Sequence, residues 1–293
     1  MGKTVSARTV LNRSLRVFFK DALYITLRNP TQALTFIRTI FWLKKAARVR
    51  DKHKLNGYLI PSILIFSITN KCNLNCKGCY NKSFHSSDSK ELSDEKLWQL
   101  TEEAKELGVS FFVISGGEPF LRPVLLDIMK EYPEIIFFVF TNGTLINEQM
   151  IESFKKQKNV VPLISVEGDR EETDERRGQG TFDQLIQTMA QLRKQSIFFG
   201  LSLTLARGNF STIISESFIH KFNQVGCKFF LFLEYTPAQE GTEDWILTAD
   251  QRAQMKDMVQ YYRSKYSSLF CSIKTFEKDI FELAALLINS ILV

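Results

Sequence analysis

The sequence predicts an α/β fold: a partial (β/α)6 TIM-like barrel preceded by an N-terminal amphipathic helical arm. Two observations carry the prediction. From Tyr58 onward, short β-rich runs alternate with amphipathic helical stretches, and parallel neighbours need such crossovers, with helices to cover the sheet. Polar or glycine-rich residues also gather at the C-terminal ends of those runs, the rim where parallel β/α folds place their sites. Composition agrees, since 293 residues with 44% hydrophobic and 24% charged side chains describe an ordinary globular chain and exclude disordered and fibrous classes.

Val10 to Leu27 reads as a first arm helix, with Leu11, Leu15, Phe18, Ala22 and Ile25 in one stripe and Arg13, Arg16 and Lys20 opposite. Asn29-Pro30-Thr31 then opens a second helix, with proline at its first position, running to about Arg50. Its start is apolar on most sides, while Lys44, Lys45, Arg48 and Arg50 crowd its end. Strands are expected at 63–69, 110–114, 135–141, 160–166, 198–204 and 228–235. Helices are expected at 94–107, 124–132, 148–157, 182–195, 211–224 and 249–266. Thr181 to Gln184 and Thr248 to Gln251 have capping-box spacing. Beyond them the pattern weakens to a strand fragment near Cys271 and a helix near Glu277 to Ile291, with no seventh βα unit. The division is therefore a basic helical arm at 1–57, the barrel at 58–268 and a short, truncated-looking tail at 269–293.

Residues 1–57 hold 13 Lys and Arg against two acids, net +11, which leaves −5 for the rest of a chain whose total is +6. The basicity belongs to the arm. Its helices can dock on the barrel, which is the expected duty, or meet an anionic membrane surface. A nucleic-acid partner is not expected, for no base-reading motif accompanies the charge. No export signal and no run of ~18 apolar residues is present, and an odd count of five cysteines speaks against a disulfide framework. A reducing, cytoplasmic setting is expected, with peripheral contact to the inner membrane face left open.

Cys72, Cys76 and Cys79 form C-x3-C-x2-C after the first strand, compact enough to wrap three thiolates around one small object. Thiolates select zinc or iron-sulfur. Zinc would need a fourth ligand such as His53 or His85. Ser115-Gly116-Gly117-Glu118-Pro119 follows the second strand, Thr141-Asn142-Gly143 the third and Ser165-Val-Glu167 the fourth, while Glu234-Tyr235 ends the sixth. Gly116 and Gly117 lack Cβ, so the backbone there can approach a ligand closely. Gly117→Val is accordingly expected to obstruct a ligand while the metal site still assembles. Ser165 and Glu167 suit ribose hydroxyls, Asn142 a polar rim contact, and Arg176 or Arg177 a carboxylate. Cys227 reads as a core residue.

Together the cysteine spacing and Gly116-Gly117-Glu118-Pro119 resemble the radical S-adenosylmethionine (SAM) superfamily, over about residues 60 to 245. The resemblance implies that Cys72, Cys76 and Cys79 hold a [4Fe-4S] cluster whose open iron is chelated by SAM. It also places Ser115 to Pro119 beside SAM, with Glu118 facing its ammonium, and Ser165 and Glu167 at the matching strand-four position. Reductive cleavage of SAM would then give a 5′-deoxyadenosyl radical that abstracts hydrogen from a substrate. Peptide-modifying and cofactor-maturing members are the nearest likeness, and a flavodoxin or ferredoxin the implied electron donor. Glu234 and Tyr235 are the candidates to meet substrate. One departure concerns Gly78, where the family often has an aromatic beside the adenine; Tyr80 is the candidate substitute. Another is the absence of any cysteine after Cys271 for the auxiliary-cluster regions called SPASM or twitch. A cluster-binding relative serving as a non-catalytic partner-binding subunit is the alternative.

Overall fold

The computed structural model describes residues 30–84 and 91–273. In chain order these form α1 (Pro30–Leu55), β1 (Ile63–Ser67), α2 (Tyr80–Phe84), α3 (Asp94–Glu106), β2 (Phe111–Ser115), α4 (Val124–Glu131), β3 (Ile136–Thr141), α5 (Glu148–Gln157) and β4 (Val160–Val166). The order continues with α6 (Arg170–Arg177), α7 (Thr181–Lys194), β5 (Gly200–Leu205), α8 (Phe210–Ile213), α9 (Glu216–Val225), β6 (Phe229–Glu234), α10 (Ala249–Lys265) and β7 (Leu269–Ile273). The seven strands pair in sequence order, every pair parallel, in a sheet curled into a partial TIM-like barrel. This is the predicted fold class with one more strand than expected.

Because the sheet is covered on both faces, its strands are apolar at nearly every position rather than alternating. Outward residues such as Phe112, Ile114, Phe137, Val139, Leu203 and Phe230 pack beneath the helices. Inward residues such as Ile63, Phe111, Val113, Leu163, Phe229 and Leu231 form a separate inner core. Leu43 of α1 belongs to that inner core. The Arg50 guanidinium donates to the Gly108 carbonyl and to Ser110 Oγ (3.0 Å), just before β2. Helix α1 therefore closes the N-terminal end of the barrel. It is the second helix of the predicted arm, docked on the fold. The first, Val10 to Leu27, lies outside the described residues, as does the helix expected near Glu277 to Ile291.

Four departures from the sequence reading have physical causes. Strand β7 pairs with β6 from Phe229↔Leu269 to Leu233↔Ile273, so the sheet runs on past residue 268. The Phe230–Phe270 stack that holds it, with ring centroids 4.9 Å apart, is a tertiary contact that a short apolar run does not announce. Helix α6, Arg-Glu-Glu-Thr-Asp-Glu-Arg-Arg, has no apolar stripe for periodicity to detect. The stretch expected at 211–224 is two helices, because Ser215 stops one and caps the next by accepting from Phe218 N at 3.2 Å. The capping box expected at Thr181 is not formed, since Gly180 is the N-cap and the Asp174 carboxylate accepts from Gly180 N and Phe182 N (3.1 and 2.8 Å). The box at Thr248–Gln251 is present. No described helix is long and apolar enough to cross a membrane.

Truncating Leu43, the α1 side chain described in the inner core, tests this docking. Leu43→Ala is expected to lower unfolding stability by about 2–5 kcal/mol, the usual cost of a buried Leu→Ala change, read by urea denaturation. A variant as stable as wild type would mean that α1 contributes nothing to the barrel.

Candidate functional site

The cysteine loop occupies the C-terminal end of β1, and the residues after β2 hold its stem. Gly117 N donates to Thr69 O (2.7 Å) and Glu118 N to Lys71 O (2.8 Å). Such close approach needs glycine: a Cβ on Gly116 would lie 2.4 Å from Thr69 O, and one on Gly117 2.1 Å from Lys71 O. Gly116 also has φ +133°, which disfavours side chains. The glycines of the Gly-Gly-Glu-Pro motif are thus explained by packing on the cysteine loop. That corrects the expectation that Gly117→Val would spare the metal site.

Glu118 is fully buried. Its carboxylate accepts from Thr141 Oγ1 (2.8 Å), Asn142 N (2.7 Å) and Phe120 N (3.1 Å), stitching the ends of β2 and β3 together. Burial pushes its pKa up, against the pull of those donors. A carboxylate so engaged does not face a ligand's ammonium on the open rim, as had been expected of it. Pro119 is buried behind it, and Ser115 Oγ donates back to Phe66 O (3.2 Å) instead of pointing outward.

Asn142 does reach the loop. Its Nδ2 donates to Asn73 Oδ1 (2.8 Å) and lies 3.9 Å from Cys72 Sγ, to which Leu74 N also donates (3.5 Å). Cys72 is exposed, and Cys76 and Cys79 are half-buried. Burial raises the Cys76 thiol pKa, opposed by the positive Arg177 and reinforced by Cys79, Glu167 and Cys72. The three thiols therefore share one electrostatic neighbourhood. Tyr80, exposed on α2, donates its hydroxyl to Gly116 O (3.3 Å), linking the loop's far end to the same glycines.

Glu167 and the arginines answer the sequence reading differently. Glu167 is 1% exposed, and each of its carboxylate oxygens is engaged, one by Arg176 and the other by Arg177, which also donates through Nε at 3.0 Å. Burial alone would raise its pKa, but the two guanidinium groups outweigh it and hold it below the usual range. Neither Glu167 for a ribose nor Arg177 for a carboxylate is uncommitted. Arg176 serves the loop as well: Lys77 N donates to Arg176 O (2.9 Å) and Arg176 Nε to Lys77 O (3.1 Å). Nothing in the charge pattern distinguished Arg176 beforehand. Ser165, opposite Ser202 in the strand register, is half-buried on the inner face.

Of the two candidate substrate residues, Glu234 faces the helix layer, paired with Arg252 of α10. Tyr235 is buried and donates its hydroxyl to Thr242 Oγ1 (2.9 Å). Neither is presented to an open rim. Cys227 is a core residue, as expected, and Cys271 is buried on β7.

Residues 66–208 match the model of the radical SAM superfamily, a span that contains every motif just described except the end of β6. Those residues, just under half of the chain, resemble this superfamily. Curated relatives of this chain include Fe-coproporphyrin III synthase of Methanosarcina barkeri, 28% identical over 55% of this chain and 42% of the relative. The subtilosin biosynthesis protein AlbA of Bacillus subtilis is 29% identical over 60% of this chain and 40% of its own length. The chain thus spans less than half the length of these relatives. Among solved structures, Streptococcus suis SuiB bound to its precursor peptide SuiA superposes with a TM-score of 0.64 at 20% identity, over 80% of this chain and 54% of SuiB. That likeness supports the partial-barrel fold.

Two substitutions follow from the geometry. Gly117→Val is expected to displace the loop stem and lower iron uptake and SAM affinity together; wild-type iron and sulfide content in the purified variant would contradict this. Glu167→Gln leaves two guanidinium groups short of a buried counter-charge and is expected to cost about 3–5 kcal/mol in denaturant melts at neutral pH. Because the folded-state pKa of Glu167 is depressed, its contribution is present above the ordinary carboxylate range and lost as pH falls through the lowered value. The gap between wild type and variant should therefore narrow in acid; a gap independent of pH would show that the ion pairs are not its origin.

Proposed function

We propose that this chain acts as a radical SAM enzyme, with Cys72, Cys76 and Cys79 holding a [4Fe-4S] cluster that binds SAM. The observation that carries the proposal is three cysteines on one loop whose stem is held by the motif after β2, the second hallmark of the superfamily. The residues suit the group. The donor set is all sulfur, Cys72 Sγ receives an N–H donor from Leu74, and Arg177 lies within electrostatic reach of Cys76. Among the described residues no three His, Cys, Asp or Glu side chains converge as they would around a single ion. When bound, the cluster supplies the electron that cleaves SAM to methionine and a 5′-deoxyadenosyl radical. The chain's own part is to hold the loop, through Gly117, Glu118 and Arg176, and to line the space beneath it.

That lining bears on the substrate. The inward strand positions carry Ile65, Phe138, Phe140 and Leu233, none fully buried, with the hydroxyls of Ser67, Ser165 and Thr204. No inward position of a described strand is charged. A carboxylate or phosphate drawn into this space would lose its water without gaining a counter-charge. An uncharged part of the substrate, such as a peptide side chain, is favoured there over a polyanionic cofactor precursor. SuiB is a precedent for a peptide substrate; a low-potential flavodoxin or ferredoxin is the electron donor the reading implies.

Anaerobic reconstitution is expected to give about four irons per chain and dithionite-dependent 5′-deoxyadenosine. Replacing the three cysteines with Ala should abolish both. If the cluster assembles but no 5′-deoxyadenosine forms, the reading passes to a cluster-binding subunit without catalysis.

A further inference from the structure

A second element besides the β2 motif is built onto the cysteine loop. The chain leaving β6 turns back over it between Tyr235 and Trp245. Gly78, between Cys76 and Cys79, is buried beneath this segment with φ +62°. A Cβ on Gly78 would lie 2.7 Å from the Trp245 ring and 2.8 Å from the Tyr235 hydroxyl. Gly78 N donates to Gln239 Oε1 (3.1 Å), giving the loop a polar attachment to the same segment. The segment is braced internally, for Tyr235 donates to Thr242 Oγ1 (2.9 Å), which donates to Gln239 O (2.6 Å). The Tyr235 and Trp245 rings lie 5.3 Å apart, and the Arg176 guanidinium sits 5.6 Å from the centre of the Tyr235 ring.

Its far end is equally fixed. Arg207 N donates to Trp245 O (2.8 Å), Arg207 Nε donates to Ile246 O (3.2 Å), and Leu247 is buried in the outer core. An indole held in this way is a fixed wall. A loop residue with no side chain and a neighbouring segment with a large one are complementary shapes: the volume that residue 78 leaves empty is filled by Trp245.

We propose that Tyr235–Trp245 is a positioning latch for the cysteine loop, with Trp245 and Gln239 its two points of purchase. It orders the Cys76–Cys79 half of the loop before any cofactor binds, whereas Cys72 is ordered from the β2 and β3 side. The two halves of the metal-binding loop thus depend on different parts of the barrel. The importance of the latch to catalysis rests on the reading of these cysteines as ligands; its existence does not.

The test uses the full-length, metal-free chain under anaerobic conditions, with iodoacetamide labelling read at each cysteine by mass spectrometry. Trp245→Ala and Gln239→Ala are each expected to speed labelling of Cys76 and Cys79 several-fold, while exposed Cys72 labels as in wild type. Trp245→Phe, which keeps an aromatic wall, should restore slow labelling. Cys227 and Cys271, 0% and 4% exposed, report on the barrel itself. If Cys76 and Cys79 label at the wild-type rate in both variants, the latch is disproved. If Cys227 and Cys271 accelerate alongside them in the exposed-site variant Gln239→Ala, the segment supports the whole fold and not this loop, which also overturns the proposal. Iron uptake measured in parallel separates the two readings: selective labelling without any iron binding in wild type would leave the latch standing and remove the cluster.

Discussion

The loop bearing Cys72, Cys76 and Cys79 has scarcely any apolar core of its own, and its position depends on backbone hydrogen bonds to the end of β2. Those bonds, from Gly117 N to Thr69 O and from Glu118 N to Lys71 O, form only where two chain segments come closer than side chains permit. The requirement for glycine is therefore geometric before it is chemical. Two anchors on the same stem support it: Asn81 Nδ2 donates to Asn70 O (2.9 Å), and the Glu91 carboxylate accepts from Thr69 Oγ1 and Asn70 N, both at 2.7 Å. The parallel sheet makes this possible by delivering the ends of β1, β2 and β3 side by side, in a register fixed by Ser67↔Ser115 and Ile114↔Val139.

Buried charge does the corresponding work on the other side of the loop. Glu118 and Glu167 are both carboxylates at strand ends, yet their surroundings set them apart. Glu118 meets only neutral donors at hydrogen-bond distance, so desolvation dominates and its pKa rises; Glu167 meets two guanidinium groups and its pKa falls. Burial and neutral donors thus leave Glu118 harder to ionise beside β3 than it would be in water. The ionised Glu167 holds Arg176 and Arg177 against the loop, where one serves Lys77 and the other lies near the thiols. Two arginines against one carboxylate leave a surplus positive charge in that neighbourhood, suited to a site that gathers thiolates.

The fold was largely legible because its signals are local. Alternating apolar runs and amphipathic stretches locate β1 to β6 and most helices to within a few residues, since each element must bury a face. Helix α6 escaped because it carries almost no apolar residues, and β7, expected only as a strand fragment near Cys271, was too short to reveal that it extends the sheet. In the site, the cysteine spacing and Gly-Gly-Glu-Pro were legible as a pattern, but their mutual packing was not. Nor was the commitment of Glu167 and Arg177 to one another, or the burial of Glu118. A strand-end carboxylate reads the same whether it faces a ligand or a neighbouring strand, and only tertiary structure decides which. Gly78 shows the same limit, because its departure from the family pattern acquires a cause only once Trp245, 167 positions later, is seen above it.

A metal-binding loop faces opposing demands. Its sulfurs must stay accessible to a cofactor, yet loosely ordered thiols would pay the entropy of ordering when the cofactor arrives. Burying the cysteines would satisfy the second demand and defeat the first. Here the restraint falls on the backbone and on the residues between the ligands: Gly117 grips Thr69, Glu118 grips Lys71, Arg176 grips Lys77, and Gln239 with Trp245 grips Gly78. The thiols themselves remain exposed or half-buried. The grips on Lys71, Lys77 and Gly78 each act next to a cysteine in the sequence but on an atom that no metal would use, so the loop can be ordered in advance without blocking the positions it exists to fill.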